Sequence, residues 1–73
     1  MHDAALKKRS VTILGHRTSV SLEHAFWDAL KAAADAEGLS LNALIARIDE
    51  GRQGNLSSAI RVWLLARTGK AKI

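Results

Sequence analysis

A chain of 73 residues holds one small domain; with no cysteine it has neither disulfides nor a thiolate zinc site, which leaves oligomerisation to brace it. The net charge of +4 and a pI near 10.1 favour polyanionic partners. No apolar run has the length of a membrane span and no signal-peptide stretch opens the chain, so a cytoplasmic protein without a membrane partner is expected.

The charge is unevenly spread. Residues 1–22 carry Lys7, Lys8, Arg9 and Arg17 against Asp3, and residues 51–73 carry five cations and no acid. The segment between them holds six acids against Lys31 and Arg47. Two basic ends therefore flank an acidic middle. The Lys7-Lys8-Arg9 run closes a polar lead-in, and residues 1–9 read as a flexible basic arm able to lie along a phosphate backbone. The remainder, residues 10–73, reads as one domain.

Residues 10–16 alternate with Val11 and Ile13 on one face, an odd phase. Residues 17–22 alternate in the even phase, with Thr18, Val20 and Leu22 on one face and Arg17, Ser19 and Ser21 on the other. That is the pattern of a strand with one buried and one wet face. The phases must be reset between them, and Gly15-His16 is the visible breaker. One solution is a hairpin with Gly15 and His16 at its tip, pairing Val11 with Val20 and Ile13 with Thr18. The other is a longer strand bent at a glycine bulge, slightly preferred because a hairpin partner would compete with pairing between subunits. A lone strand leaves its edge amides and carbonyls unsatisfied, so strand 17–22 pairs with upstream residues or with a second copy.

Helix 1 is expected over about 23–37, with Phe26, Ala29, Leu30 and Ala33 inward, Trp27 beside them and Gly38 after the C-cap. Helix 2, about 41–50, follows the N-cap Ser40 and carries the stripe Leu41, Leu44, Ile45 and Ile48. A polar turn with Gly51 and Gly54 leads to Asn55, the cap of helix 3, about 56–67. Leu56, Ala59, Ile60, Trp63 and Leu64 form its main stripe, with Val62 and Leu65 opposite. A helix so apolar around its girth needs cover on two sides, and a second subunit is the simplest source.

The order strand, helix, Gly-containing turn and Ser-capped helix resembles the ribbon-helix-helix family of DNA-binding proteins, to which Arc- and Met-repressor-like proteins belong. The residues carrying it are Arg17 to Leu22, Glu23 to Leu30, and Gly38 to Ile45; Lys8 to Ile13, Gly15 to Ser19 and Asn55 to Arg61 resemble a small bacterial subfamily. The resemblance implies a mostly α fold with an N-terminal β-ribbon, here with a third C-terminal helix, as an intertwined homodimer. Two strands pair antiparallel across the two-fold axis, and the ribbon enters the major groove. Carried over, Arg17, Ser19 and Ser21 face the bases, while Ser40, Leu41 and Asn42 offer amides to a phosphate, alongside Lys7, Lys8 and Arg9. The dimer interface takes in Thr18, Val20, Leu22, Leu44, Ile45, Ile48, Ile60, Trp63 and Leu64.

General chemistry supports these roles independently. Arginine pairs bidentately with guanine, serine donates to or accepts from several bases, and a helix N-terminus is an anion site. Each residue also has a plainer reading: Arg17 as a solvated strand cation, the serines as ordinary exposed-strand residues, Ser40 as a simple cap. Trp27 and Trp63 read as core or interface rather than base-stacking residues. His2, His16 and His24 lack ligand spacing, and no nucleophile has a base partner, so no metal, no cofactor and no enzymatic activity are expected. The expected function is a homodimeric, sequence-preferring double-stranded-DNA-binding protein that regulates transcription, with an obligate dimer. The alternative is a dimeric protein-interaction module such as an antitoxin, weakened by the short tail, Thr68 to Ile73, beyond helix 3.

Overall fold

The computed structural model describes residues 5–52 and 54–69. Strand β1 (Leu6–Ile13) and strand β2 (His16–Glu23) form a two-stranded antiparallel ribbon; α1 (His24–Glu37), α2 (Leu41–Glu50) and α3 (Leu56–Gly69) follow. The upstream segment is thus neither bulged nor an arm as far as Leu6. Lys7, Lys8 and Arg9, expected in the arm, stand in β1, because pairing with β2 satisfies the backbone groups an arm would leave to water. The rest of the expected arm, residues 1–4, lies outside the described residues.

The hairpin turn is one residue earlier than expected. Leu14 and Gly15 both take positive φ, 52° and 83°, as a type I′ turn requires, and Ile13 pairs with His16. Val11 therefore sits opposite Thr18, and Val20 opposite Arg9, rather than opposite each other. Both registers place odd residues of β1 beside even residues of β2, so both bury Val11, Ile13, Val20 and Leu22 together. Hydrophobic phase cannot tell them apart.

Helix α1 is capped by Gly38 at φ 69°, whose amide bonds to the carbonyls of Ala34 and Asp35. Its buried side chains are Trp27, Leu30, Ala33 and Ala34, with Phe26 and Ala29 packed at the margin. The inward stripe is rotated from the one expected because the Trp27 indole Nε1–H donates to the Lys7 carbonyl oxygen at 2.8 Å. That bond draws Trp27 under β1. Helix α2 starts at Ser40, whose Oγ accepts the Ala43 amide at 3.0 Å. Asn55 caps α3 in the same way, Oδ1 accepting from the Ser58 amide at 2.8 Å.

The inner face of the ribbon packs on the helices to make one core: Val11, Ile13, Val20 and Leu22 meet Leu30, Leu44, Ile45, Leu56, Ile60 and Leu64. Seven residues expected at a dimer interface, Val20, Leu22, Leu44, Ile45, Ile48, Ile60 and Leu64, are buried inside a single chain. Strand β1, the hairpin alternative, packs on α2 and helps close this core. Thr18 and Trp63 stay half-buried, while Val62 and Leu65, on the side of α3 expected to need cover from a second subunit, stand exposed in the single chain. No described helix is long and apolar enough to cross a membrane.

Candidate nucleic-acid interface

Alternation along two paired strands sorts the ribbon into a core face and a water face. The water face carries Lys8, Ser10 and Thr12 from β1 with Arg17, Ser19 and Ser21 from β2, and Leu6 opposite Glu23 at its far end. Across the strands Thr12 stands beside Arg17, Ser10 beside Ser19 and Lys8 beside Ser21. Four hydroxyls thus lie between two cations of opposite strands. Arg17 and Ser19 are exposed and Ser21 is half-buried.

In a hairpin closed by two loop residues, the flanking pair exchanges both ladder bonds, and alternate pairs do not. Ile13 and His16 flank the turn, so the water-face pairs are the non-bonded ones. Their side chains approach closely, and their backbone amides and carbonyls point out along the two ribbon edges. Among the described residues no strand pairs with the edge of β2 at Arg17, Ser19 and Ser21. A pattern of alternation from residue 10 onward carried the signal for Ser10 and Thr12; β1's extension to Leu6, which brings Lys8 onto the same face, had none that sequence reasoning used.

The charge has an equally clear division. Each described arginine of α2 and α3 has an acidic partner, as does Arg52 in the turn between them. Arg61 Nε donates to Glu23 Oε1 at 3.1 Å, Arg67 Nη1 to Glu37 Oε2 at 2.9 Å, and Arg52 pairs with Asp49 at 2.8 Å. Arg47 lies 3.8 Å from Glu37. Among the described residues, no ion pair neutralises Lys7, Lys8, Arg9 or Arg17 of the ribbon, nor Lys31 of α1. The unopposed positive charge of the described chain is gathered on the ribbon and the adjoining face of α1.

Glu23 closes β2 and is the N-cap of α1. Its own backbone N–H, then the Arg61 guanidinium, hold its carboxyl below the ordinary value against a smaller opposing effect of burial. The site expected at the start of α2 comprises exposed Ser40, half-buried Leu41 and exposed Asn42. Ser40 engages the third amide of the helix, so the amides of Leu41 and Asn42 have no protein acceptor among the described residues. No group of three or more His, Asp or Glu side chains gathers among the described residues into a metal site.

No curated protein matches the chain. Its fold is similar to that of an uncharacterized protein from Bordetella pertussis Tohama I, with a TM-score of 0.79 and 30% identity over 97% of this chain. The match spans 64% of that protein's chain. The model of the ribbon-helix-helix domain matches residues 6–68, from the first residue of β1 nearly to the end of α3. Proteins with this domain bind DNA and typically dimerise, and the family is typically non-enzymatic. With its antiparallel ribbon, two capped helices and additional α3 in one continuous match, the chain belongs to the ribbon-helix-helix family.

Proposed function

We propose that the protein is a homodimeric double-stranded-DNA-binding regulator of transcription whose ribbon lies in the major groove. The observation that carries the reading is the water face of the ribbon, where Lys8 and Arg17 flank Ser10, Thr12, Ser19 and Ser21 and neither cation has an ion-pair partner among the described residues. Cations supply affinity through counterion release, while the arginine and hydroxyls supply base preference. The partner's β2 adds antiparallel to that edge of β2, setting the two copies of Arg17, Ser19 and Ser21 side by side in a four-stranded sheet. The free amides of Leu41 and Asn42 hold a backbone phosphate, and Lys7, Lys8 and Arg9 contact phosphate from β1.

Fluorescence anisotropy with a labelled random-sequence duplex tests this. Binding is expected to be tight at low salt and to weaken steeply with added salt, and Arg17→Ala is expected to weaken it further. Absence of binding at low salt would overturn the proposal. A second reading, a protein partner, is favoured by the groove between α2 and α3, where Ile48, Ala59, Val62, Trp63 and Ala66 line an apolar depression. Co-purification of a defined protein whose binding is lost in Val62→Glu would support it.

A further inference from the structure

Strand alternation cannot place Lys7, Lys8 and Arg9 on one face. Lys8 takes the water face, which turns Lys7 and Arg9 toward α1. There they line a cleft with His24, Trp27, Asp28 and Lys31. Positions 24, 28 and 31 recur on one face of α1 at helical spacing, so the cleft has a strand wall and a helix wall. Trp27 joins the two walls. Its indole N–H is bonded to the Lys7 carbonyl oxygen at 2.8 Å, and the Arg9 guanidinium lies 5.4 Å from its ring centroid. The buried tryptophan therefore holds Arg9 in place without neutralising it. Three cations face one carboxylate, Asp28, and none of the three has an ion-pair partner among the described residues.

We infer that the β1–α1 cleft is a phosphate-binding site, taking a backbone phosphate of the duplex that also meets the ribbon. It rests on the DNA-binding reading and adds to it. Lys31 becomes a DNA contact on a helix that has no other, and Lys7 and Arg9 act as parts of a built cleft rather than as a loose arm. A polyanion is favoured over a small phosphate compound because Lys8, between Lys7 and Arg9 in the strand, presents the same charge on the opposite face. One extended strand of phosphates can pass along the β1 edge and meet both faces.

The test measures duplex affinity against salt for the wild-type protein, Lys31→Ala, Lys7→Ala/Lys31→Ala and Arg17→Ala. Lys31 is exposed and alanine is a strong helix former, so the single variant is expected to fold. The slope of log affinity against log salt is expected to flatten by about two for Lys31→Ala, one for each copy in the dimer, and by about four for the double variant, equally for random and preferred duplexes. Lys31→Arg is expected to keep the wild-type slope. An unchanged slope in both alanine variants, with Arg17→Ala weakened, would overturn the cleft and leave the ribbon reading intact. No duplex binding by the wild-type protein would end both. The Trp27 indole N–H resonance separates the two phosphate sources. It is expected to shift with duplex and not with pyrophosphate at matched ionic strength; saturable binding of pyrophosphate below millimolar concentration would overturn the assignment to a nucleic-acid backbone.

Discussion

Leu14 carries the one positive φ at a non-glycine residue among the described positions, 52°, and it is 82% exposed. The left-handed conformation costs an ordinary L-residue about 1–2 kcal/mol, and less for asparagine, whose short side chain bonds locally. The side chain packs on little that would offset this. Leu14→Asn, which creates the Asn-Gly pair favoured in type I′ turns, is expected to stabilise the protein by about 1 kcal/mol and raise the thermal midpoint by about 4–8 °C. An unchanged or lowered midpoint in a calorimetric scan would show that the turn is not strained as the backbone angle implies. The strain could not be read from the sequence. Gly15 marked the turn, but its partner could have been Leu14 or His16, and the choice follows from strand pairing.

Between elements, the Arg61–Glu23 pair fastens α3 to the junction of β2 and α1, and Arg61 also lies 5.8 Å from the Phe26 ring centroid. Because the Glu23 carboxyl is held below its ordinary value, the stability it contributes is fully present above the ordinary carboxylate range. That stability is lost as pH falls through the lowered value. Arg61→Ala removes the guanidinium but not the bond from Glu23's own amide. The variant is expected to melt at a lower temperature at neutral pH and to lose less on acidification than the wild type. Parallel melting curves from neutral to acid pH would rule out a contribution from the pair. Helix limits, by contrast, were legible locally. Ser40, Asn55 and Gly38 stand where the caps were expected, since capping depends on residues within one turn. The orientation of α1 was not. Its stripe turned toward Trp27 because that side chain bonds to a carbonyl 20 residues earlier in the chain.

For the assembly, the core closes within one chain, with Val20, Leu22, Leu44, Ile45 and Ile60 fully buried. Dissociation and unfolding of the proposed dimer should therefore be separable. Sedimentation velocity is expected to show a dimer that gives way to monomer on dilution, with the helical circular-dichroism signal retained. Loss of helix in step with dissociation would instead mean that the core is shared between subunits, the obligate dimer that the apolar girth of α3 suggested. The closed core traces to β1, whose Val11 and Ile13 join it, whereas Val62 and Leu65 on the outer side of α3 stay exposed.

What could be decided from the residues in order was whatever depends on near neighbours. The alternation of Arg17 to Leu22 set which side chains face water, the caps set the helices, and together these sufficed for the family and for Arg17, Ser19 and Ser21 as a common face. What required the folded chain was whatever joins distant residues. The pairing register was invisible because a two-residue slip leaves every side chain on its own face. The electrostatic partition was invisible because opposite charges cancel only where folding brings them together. Arg61 meets Glu23 across 38 positions and Arg67 meets Glu37 across 30, leaving the unopposed cations of the described residues on the ribbon and on Lys31. Net charge along a sequence counts all of these alike; only their distances separate the charges that hold the fold from those left for a polyanion.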